Sequence, residues 1–431
     1  MGMRVAKKTQ DMGLMVFATV FVCAGLILRD VAGVNINKFL FLIVVAVPIF
    51  LLTTKSFLIF SSLLIPLYVG LPGNYISICI LLRLLFELFM GKIRYDSLAF
   101  LLSIVAAAFL FMQNLFYDYT AIYYMMGSLD FLTLLLLSYA ILQYNETENA
   151  IIAFLVGVAA MGAIMLINTL QYYDLQELMN SANRLGDTNE IYQNSASGMV
   201  VNIDPNFYGM NVIAAVSASI SLLFTMKMTQ AKKMAIIGLS GAALIFALIG
   251  ISRAFALILV LWGILLIMTQ GKAKSFLTAV IVVIVFVAVC YAFFSTIVEG
   301  LWNRFTEADM EGGNGRINLI IKYYEMWIAN IGTMLFGIGL YNCHTHSAPL
   351  LYLFGVGVVG AVVILGWFLR IIRVSCWRGQ RVGLKRWIPF MVTFIMFSTI
   401  PAAGAINYTF PLLISILTLA LNPAKGSIGH G

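Results

Sequence analysis

Charge is scarce in this chain. Asp, Glu, Lys and Arg supply 10% of its residues, hydrophobic residues supply 62%, and mean hydropathy is +0.98. A water-soluble domain carries about 25% charged residues, so this composition excludes one. Histidine is scarcer, with three in 431 residues. Of the five cysteines, Cys23, Cys79 and Cys290 fall in apolar runs, Cys376 in a basic connection and Cys343 in a polar loop. That distribution leaves no pair placed for a disulfide. The alternation of a membrane β-barrel is absent, as are internal repeats and the inverted symmetry of a transporter core. Gly25-Leu-Ile-Leu-Arg29 offers no small-residue cleavage site, so the first apolar run reads as a span and not as a signal peptide.

What the chain does have is long apolar runs. They fall at 12–28, 36–52, 57–71, 75–90, 97–112, 121–143, 149–170, 207–226, 234–250, 254–269, 275–296, 347–371, 387–401 and 406–421. In hydrocarbon every backbone amide needs an internal partner, so runs of this length are helices. The expectation is an all-α integral membrane protein with about 12–14 transmembrane helices, forming one polytopic domain over 1–431. Two connections are long, 171–206 and 297–345, and function is expected there because the others are short.

Charge orients these spans. On alternate connections, 18 of the 26 basic residues fall on one side and 7 on the other, with Arg83 inside a span. The positive-inside rule then places both termini in the cytoplasm and both long loops outside. The net charge of +8 is a topology signal. Nucleic-acid binding would need a clustered basic face.

The second long loop carries the sharpest chemistry. Glu311-Gly-Gly-Asn-Gly-Arg316 opens an amphipathic helix with Ile317, Ile320, Ile321, Tyr324 and Ile328 on one face and Asn318, Lys322 and Glu325 on the other. Such a helix lies on the membrane surface. Glycines, free N–H groups and Arg316 at its start suit a phosphate or diphosphate; the plainer reading is an Asn314 cap with Arg316 solvated. His344 and His346 close the loop at the mouth of a span. Histidine titrates near neutral pH, which suits a base at that position; alternatively His346 only hydrogen-bonds its loop. Cys343, His344 and His346 are spaced too tightly for a usual zinc motif. His430 lies in a polar tail and receives no role.

Three further positions stand out. Ser252-Arg253 interrupts an apolar region, where an arginine is either functional or snorkelling to the headgroups. Asp204-Pro205-Asn206 precedes a span, as a cap or as a substrate contact. Arg83 and Glu87, four apart in one span, form an ion pair on a helix face; with Asp130 they are the only other intramembrane groups that a proton-coupled transporter or flippase could use.

Taken in order, Asp204-Pro-Asn206, Ser252-Arg253, Gly315-Arg316 and Gly337-Ile-Gly339 leading to His346-Ser347 and Gly357-Val-Val-Gly360 resemble the O-antigen ligase and Wzy-type O-antigen polymerase superfamily of bacterial envelope enzymes. The resemblance covers residues 200–371. The extra His344 departs from it and leaves the choice of base between two histidines. The resemblance implies a metal-independent glycosyltransferase of the bacterial inner membrane, without cofactor, acting at its periplasmic face. The donor is a glycan on undecaprenyl diphosphate, and the product O-antigen, capsule or exopolysaccharide. Arg253 and Arg316 would hold the diphosphate and His346 would be catalytic, with His344, Asp204, Asn206, Ser252 and Lys322 in support. The implied partners are the lipid-linked oligosaccharide, membrane lipids and a chain-length regulator protein. A ligase transferring glycan to a lipid A core is the alternative within the same chemistry; a lipid-linked oligosaccharide flippase is the alternative outside it.

Overall fold

The structure is a computed structural model that describes residues 2–118, 122–173, 204–250, 252–269, 299, 310–376, 382–400 and 406–421. Among them there are helices and turns and no strand. In chain order the helices are α1 (Gly2–Asp30), α2 (Lys38–Leu51), α3 (Thr54–Leu64, continued as a 3₁₀ turn Ile65–Gly70), α4 (Gly73–Phe89), α5 (Ser97–Phe116), α6 (Ile122–Tyr144), α7 (Thr147–Thr169), α8 (Pro205–Thr225), α9 (Gln230–Ile249), α10 (Arg253–Met268), α11 (Met310–Ile328), α12 (Ile331–Phe336), α13 (Ala348–Cys376), α14 (Leu384–Phe397) and α15 (Ile406–Leu417, continued as a 3₁₀ turn Thr418–Ala420).

Thirteen of the fourteen expected spans coincide with helices; the one at 275–296 lies outside the described residues. Seven helices are long and apolar enough to cross a bilayer, within α1, α5, α6, α7, α8, α9 and α13. Four apolar helices are shorter: α2, α3 with its 3₁₀ turn, α10, and Tyr408–Ala420. The chain is therefore an α-helical, multi-pass membrane protein. Of the long connections, 174–203, 297–298 and 300–309 lie outside the described residues; from Met310 the second folds as α11 and α12, followed by an irregular loop to Thr345.

One apolar core runs through the bundle, from Leu26 and Phe41 through Phe131, Phe154 and Tyr208 to Trp367 and Phe410. α8 lies at its centre, packed on α7, α9, α14 and α15. α13 packs along α5, and Arg370 of α13 clasps Asp96 at 2.9 Å (Nε to Oδ1). Asp96 also caps α5 by accepting from the Ala99 amide, so one carboxylate starts a helix and ties it to its neighbour.

Arg83 and Glu87 do form the expected ion pair. The Arg83 guanidinium also donates to the carbonyls of Phe50 and Leu52, at 2.9 and 3.2 Å. Those are carbonyls that the end of α2 leaves without helical donors. Glu87, fully buried, accepts from Thr54 at the start of α3 and faces Lys92. The pair thus joins α4 to the α2–α3 turn. Removing one member of such a pair strands the other and costs about 3–5 kcal/mol.

Candidate functional site

The ordered motifs come together at one rim of the bundle. Asp204 starts α8: its carboxylate accepts from the Asn206 amide at 2.8 Å, with Pro205 in the first turn. This is the capping arrangement expected for that sequence. Ser252 starts α10 in the same way, accepting from the Phe255 amide, and its hydroxyl reaches the Asn206 carboxamide oxygen at 2.7 Å. Ser252 is buried and Arg253 half-buried. The bond between residues 206 and 252 fixes Arg253 beside the start of α8.

His346 stands exposed just before α13. Its imidazole is held below its ordinary value of 6.5, first by the protein around it and then by the positive charge of Arg316, while the Asp204 carboxylate acts in the opposite sense. An uncharged ring suits a proton acceptor near neutral pH. Arg316 from α11 and Asp204 from α8 therefore lie within electrostatic reach of one histidine, although more than a hundred residues separate them. His344 is also exposed and stands edge-on to Tyr323, with ring centroids 6.4 Å apart; the Lys322 ammonium lies 5.6 Å from the same ring. His344 and Lys322 thus share one tyrosine on the flank of the site.

α11 starts one residue before the Glu311–Arg316 stretch expected to open it. The helix begins at Met310, so the glycines at 312, 313 and 315 fall within its first turns and Asn314 is not its cap. A helix leaves only its first four amides free, so the Arg316 amide is engaged inside it. The side chain of Arg316 remains exposed and able to hold an anion. The apolar residues also divide differently. Ile320 turns inward with Leu319, Tyr323 and Trp327 onto Ile338, Cys343 and Phe354. Ile317, Ile321, Tyr324 and Ile328 form the exposed stripe.

A broken helix supports the histidine loop. α13 is interrupted at Gly357, which adopts φ 69° and ψ 179°. A break of this kind frees carbonyls one turn upstream. The chain after α12 supplies their donors: the Ile338 amide bonds to Phe354 O at 2.9 Å and the Gly339 amide to Gly355 O at 3.0 Å. Irregular backbone at membrane depth is tolerated only when its polar groups are matched by protein in this way. The approach is so close that a Cβ on Gly337 would collide with Gly355 O, and one on Gly357 with the Gly337 nitrogen. Two side chains of α5 complete the junction. The Gln113 amide donates to Phe336 O at 2.5 Å and Gly355 O at 2.7 Å, and the Tyr117 hydroxyl to Gly337 O at 2.5 Å.

Cys343 is buried, and burial raises its thiol. A metal-binding thiolate needs the opposite. Among the described residues no three His, Cys, Asp or Glu side chains form a metal-binding group. An apolar cavity of about 540 Å³ lies between α13, α14 and α15, lined by Pro349, Tyr352, Phe368, Ile372, Trp387 and Phe390. It begins three residues beyond His346. Sequence comparison finds no matching protein-family model and no matching curated protein.

Proposed function

We propose that the chain is a Wzy-type polysaccharide polymerase that transfers glycan from undecaprenyl diphosphate to a second lipid-linked repeat unit. The observation that carries this reading is the placement of Arg316 and Asp204 within electrostatic reach of His346, with the Asn206–Ser252 bond joining the residue before Arg253 to the start of α8. The charge asymmetry of the connections supports an outward-facing rim with both termini in the cytoplasm; the bacterial inner membrane is what the family resemblance implies.

The chemistry follows from the residues. His346, uncharged, takes the proton of the acceptor hydroxyl as its oxygen attacks the anomeric carbon of the donor. The bond from that carbon to the diphosphate oxygen breaks, and its electron pair leaves with the phosphate. Arg253 and Arg316 stabilise the charge with forked donor sets that match phosphate oxygens. The diphosphate is already an activated leaving group, so a nucleotide site is not needed. Beyond the break at Gly357 the cavity offers the isoprenoid tail roughly 16 Å of apolar wall along α13, between Ala361 and Ile372. A chain-length regulator protein acts as the partner.

The test is His346→Ala. Polymer should disappear while the protein still accumulates in the membrane, and His344→Ala should do less. Normal polymer yield and chain length from His346→Ala would exclude it as the base; the reverse ranking would move that role to His344. Supplying a lipid A core acceptor in place of the second lipid-linked unit separates a ligase from a polymerase.

A further inference from the structure

We infer that Gln113 and Tyr117, at the end of α5, are positioning residues that hold the His346 loop in its working geometry. The inference rests on the assignment of the reaction to that loop.

The loop from Gly339 to Ser347 is closed at its base by the two backbone bonds that pair residues 338 and 339 with 354 and 355. That pairing ties the loop to α13. Gln113 and Tyr117 tie the same backbone to a second helix, α5. One Gln113 amide group spans both strands of the junction, reaching Phe336 O on one side and Gly355 O on the other. Tyr117 holds the next carbonyl, Gly337 O. Its ring lies against Gly339, where a Cβ would meet Tyr117 Cγ and Cδ2 at 3.0 Å. Gly339 has φ 93°, a conformation that glycine adopts freely.

The composition of this contact argues against mere packing. Gln113 is 5% exposed, and its own Oε1 is buried with no hydrogen-bond partner among the described residues. A buried unmet acceptor carries a desolvation cost that a leucine would avoid. The same helix end is tied to α6, since Asn114 donates to Tyr124 O at 2.8 Å. Tyr124 in turn stacks near Tyr341 of the loop, with centroids 4.6 Å apart. The loop therefore rests on α5 at its base and on α6 at its crest, and both helices belong to the half of the chain that bears none of the ordered motifs.

The loop contains its own reporter, the buried thiol of Cys343. Gln113→Met keeps the length and removes both donated bonds; Tyr117→Phe keeps the ring and removes one. The full-length proteins, purified in detergent, would be treated with a maleimide, and modification at Cys343 followed by mass spectrometry. Each variant should label Cys343 about fivefold to tenfold faster than the parent, the scale of one lost hydrogen bond. Tyr144→Phe, which loses a comparable bond to Lys92 O elsewhere, should not change that rate. In transfer assays kcat should fall with little change in donor KM. The acid limb of the rate profile should move up toward the ordinary histidine range as His346 leaves the neighbourhood of Arg316 and Asp204. Tyr117→Phe, the milder change, serves if Gln113→Met does not accumulate. Unchanged Cys343 labelling in the folded variants would overturn the positioning role, whatever the activity. Faster labelling with unaltered transfer would leave the mechanical link in place and overturn the assignment of the reaction to His346.

Discussion

In the proposed reaction a single imidazole decides the pH response of the site. His346 would act as a base only when neutral, so activity should rise as pH passes upward through its pKa. Partial desolvation by the surrounding protein and the charge of Arg316 hold that pKa below 6.5, and the acid limb of transfer activity should lie below that value. Arg316→Gln removes a cation and should shift the limb upward; Asp204→Asn removes the opposing carboxylate and should shift it downward. Shifts in the same direction for both variants would contradict this electrostatic arrangement. Arginine identity matters as well as charge. Arg253→Lys and Arg316→Lys each keep the charge but lose the planar fork, and each should lower kcat/KM by roughly tenfold or more. Donor binding by both lysine variants at the parent level, measured on the lipid-linked substrate, would remove the diphosphate role.

The element on which the site depends is the interrupted helix α13. Its glycine at 357 is needed twice, for a positive φ and for the passage of the 335–339 backbone. Gly357→Ala should therefore cost at least about 1–2 kcal/mol from backbone conformation alone, before any collision is counted. The expected result is a lower unfolding temperature in detergent and loss of polymer at normal transcript levels. Gly366→Ala, nine residues along the same helix with only ordinary contacts at about 3.9 Å, should be tolerated. Equal behaviour of the two variants would mean that the interruption carries no structural weight. Amphipathic helix α11 shows the same dependence on context. Its 3.6-residue periodicity is visible in the sequence, yet the choice between Ile320 inward and Ile321 outward comes from the small core around Phe354.

At the scale of the molecule, the prediction concerns which side of the membrane the rim occupies. The proposed placement is outside, and the 18-to-7 division of basic residues supports it. A cysteine introduced at the exposed Asn318 of α11 should react with a membrane-impermeant maleimide in spheroplasts, while the buried Cys343 stays protected. Labelling only after permeabilisation would invert the topology. The charge division also explains how the ends of the bundle differ. Ion pairs such as Asp96–Arg370, Lys55–Glu146 and Lys232–Glu148 tie the basic end together, and the opposite rim holds Asp204, Arg316 and the histidine loop.

Hydrophobic run length determined the helical, membrane-spanning class, because hydrocarbon leaves the backbone no other way to satisfy itself. Local capping at Asp204-Pro205 was equally legible, because the side chain reaches an amide two residues on; Ser252 caps α10 in the same way, though the sequence marked it only beside Arg253. The motif residues could be singled out one by one in the sequence. Their meeting at one rim could not, since the Asn206–Ser252 bond and the action of Arg316 and Asp204 on His346 depend on how α8, α10 and α11 pack. Gln113 and Tyr117 carried no signal at all. A glutamine and a tyrosine at the end of an apolar run look like the edge of a membrane span, and only the passage of residues 336–339 beside them turns them into donors. The helix that opens at Glu311–Arg316 was legible to within one residue, whereas the choice between an anion site and an Asn314 cap was left open, and a helix that starts at Met310 removes the cap. Short-range chemistry is written in the order of residues, whereas long-range contacts exist only once the chain has packed.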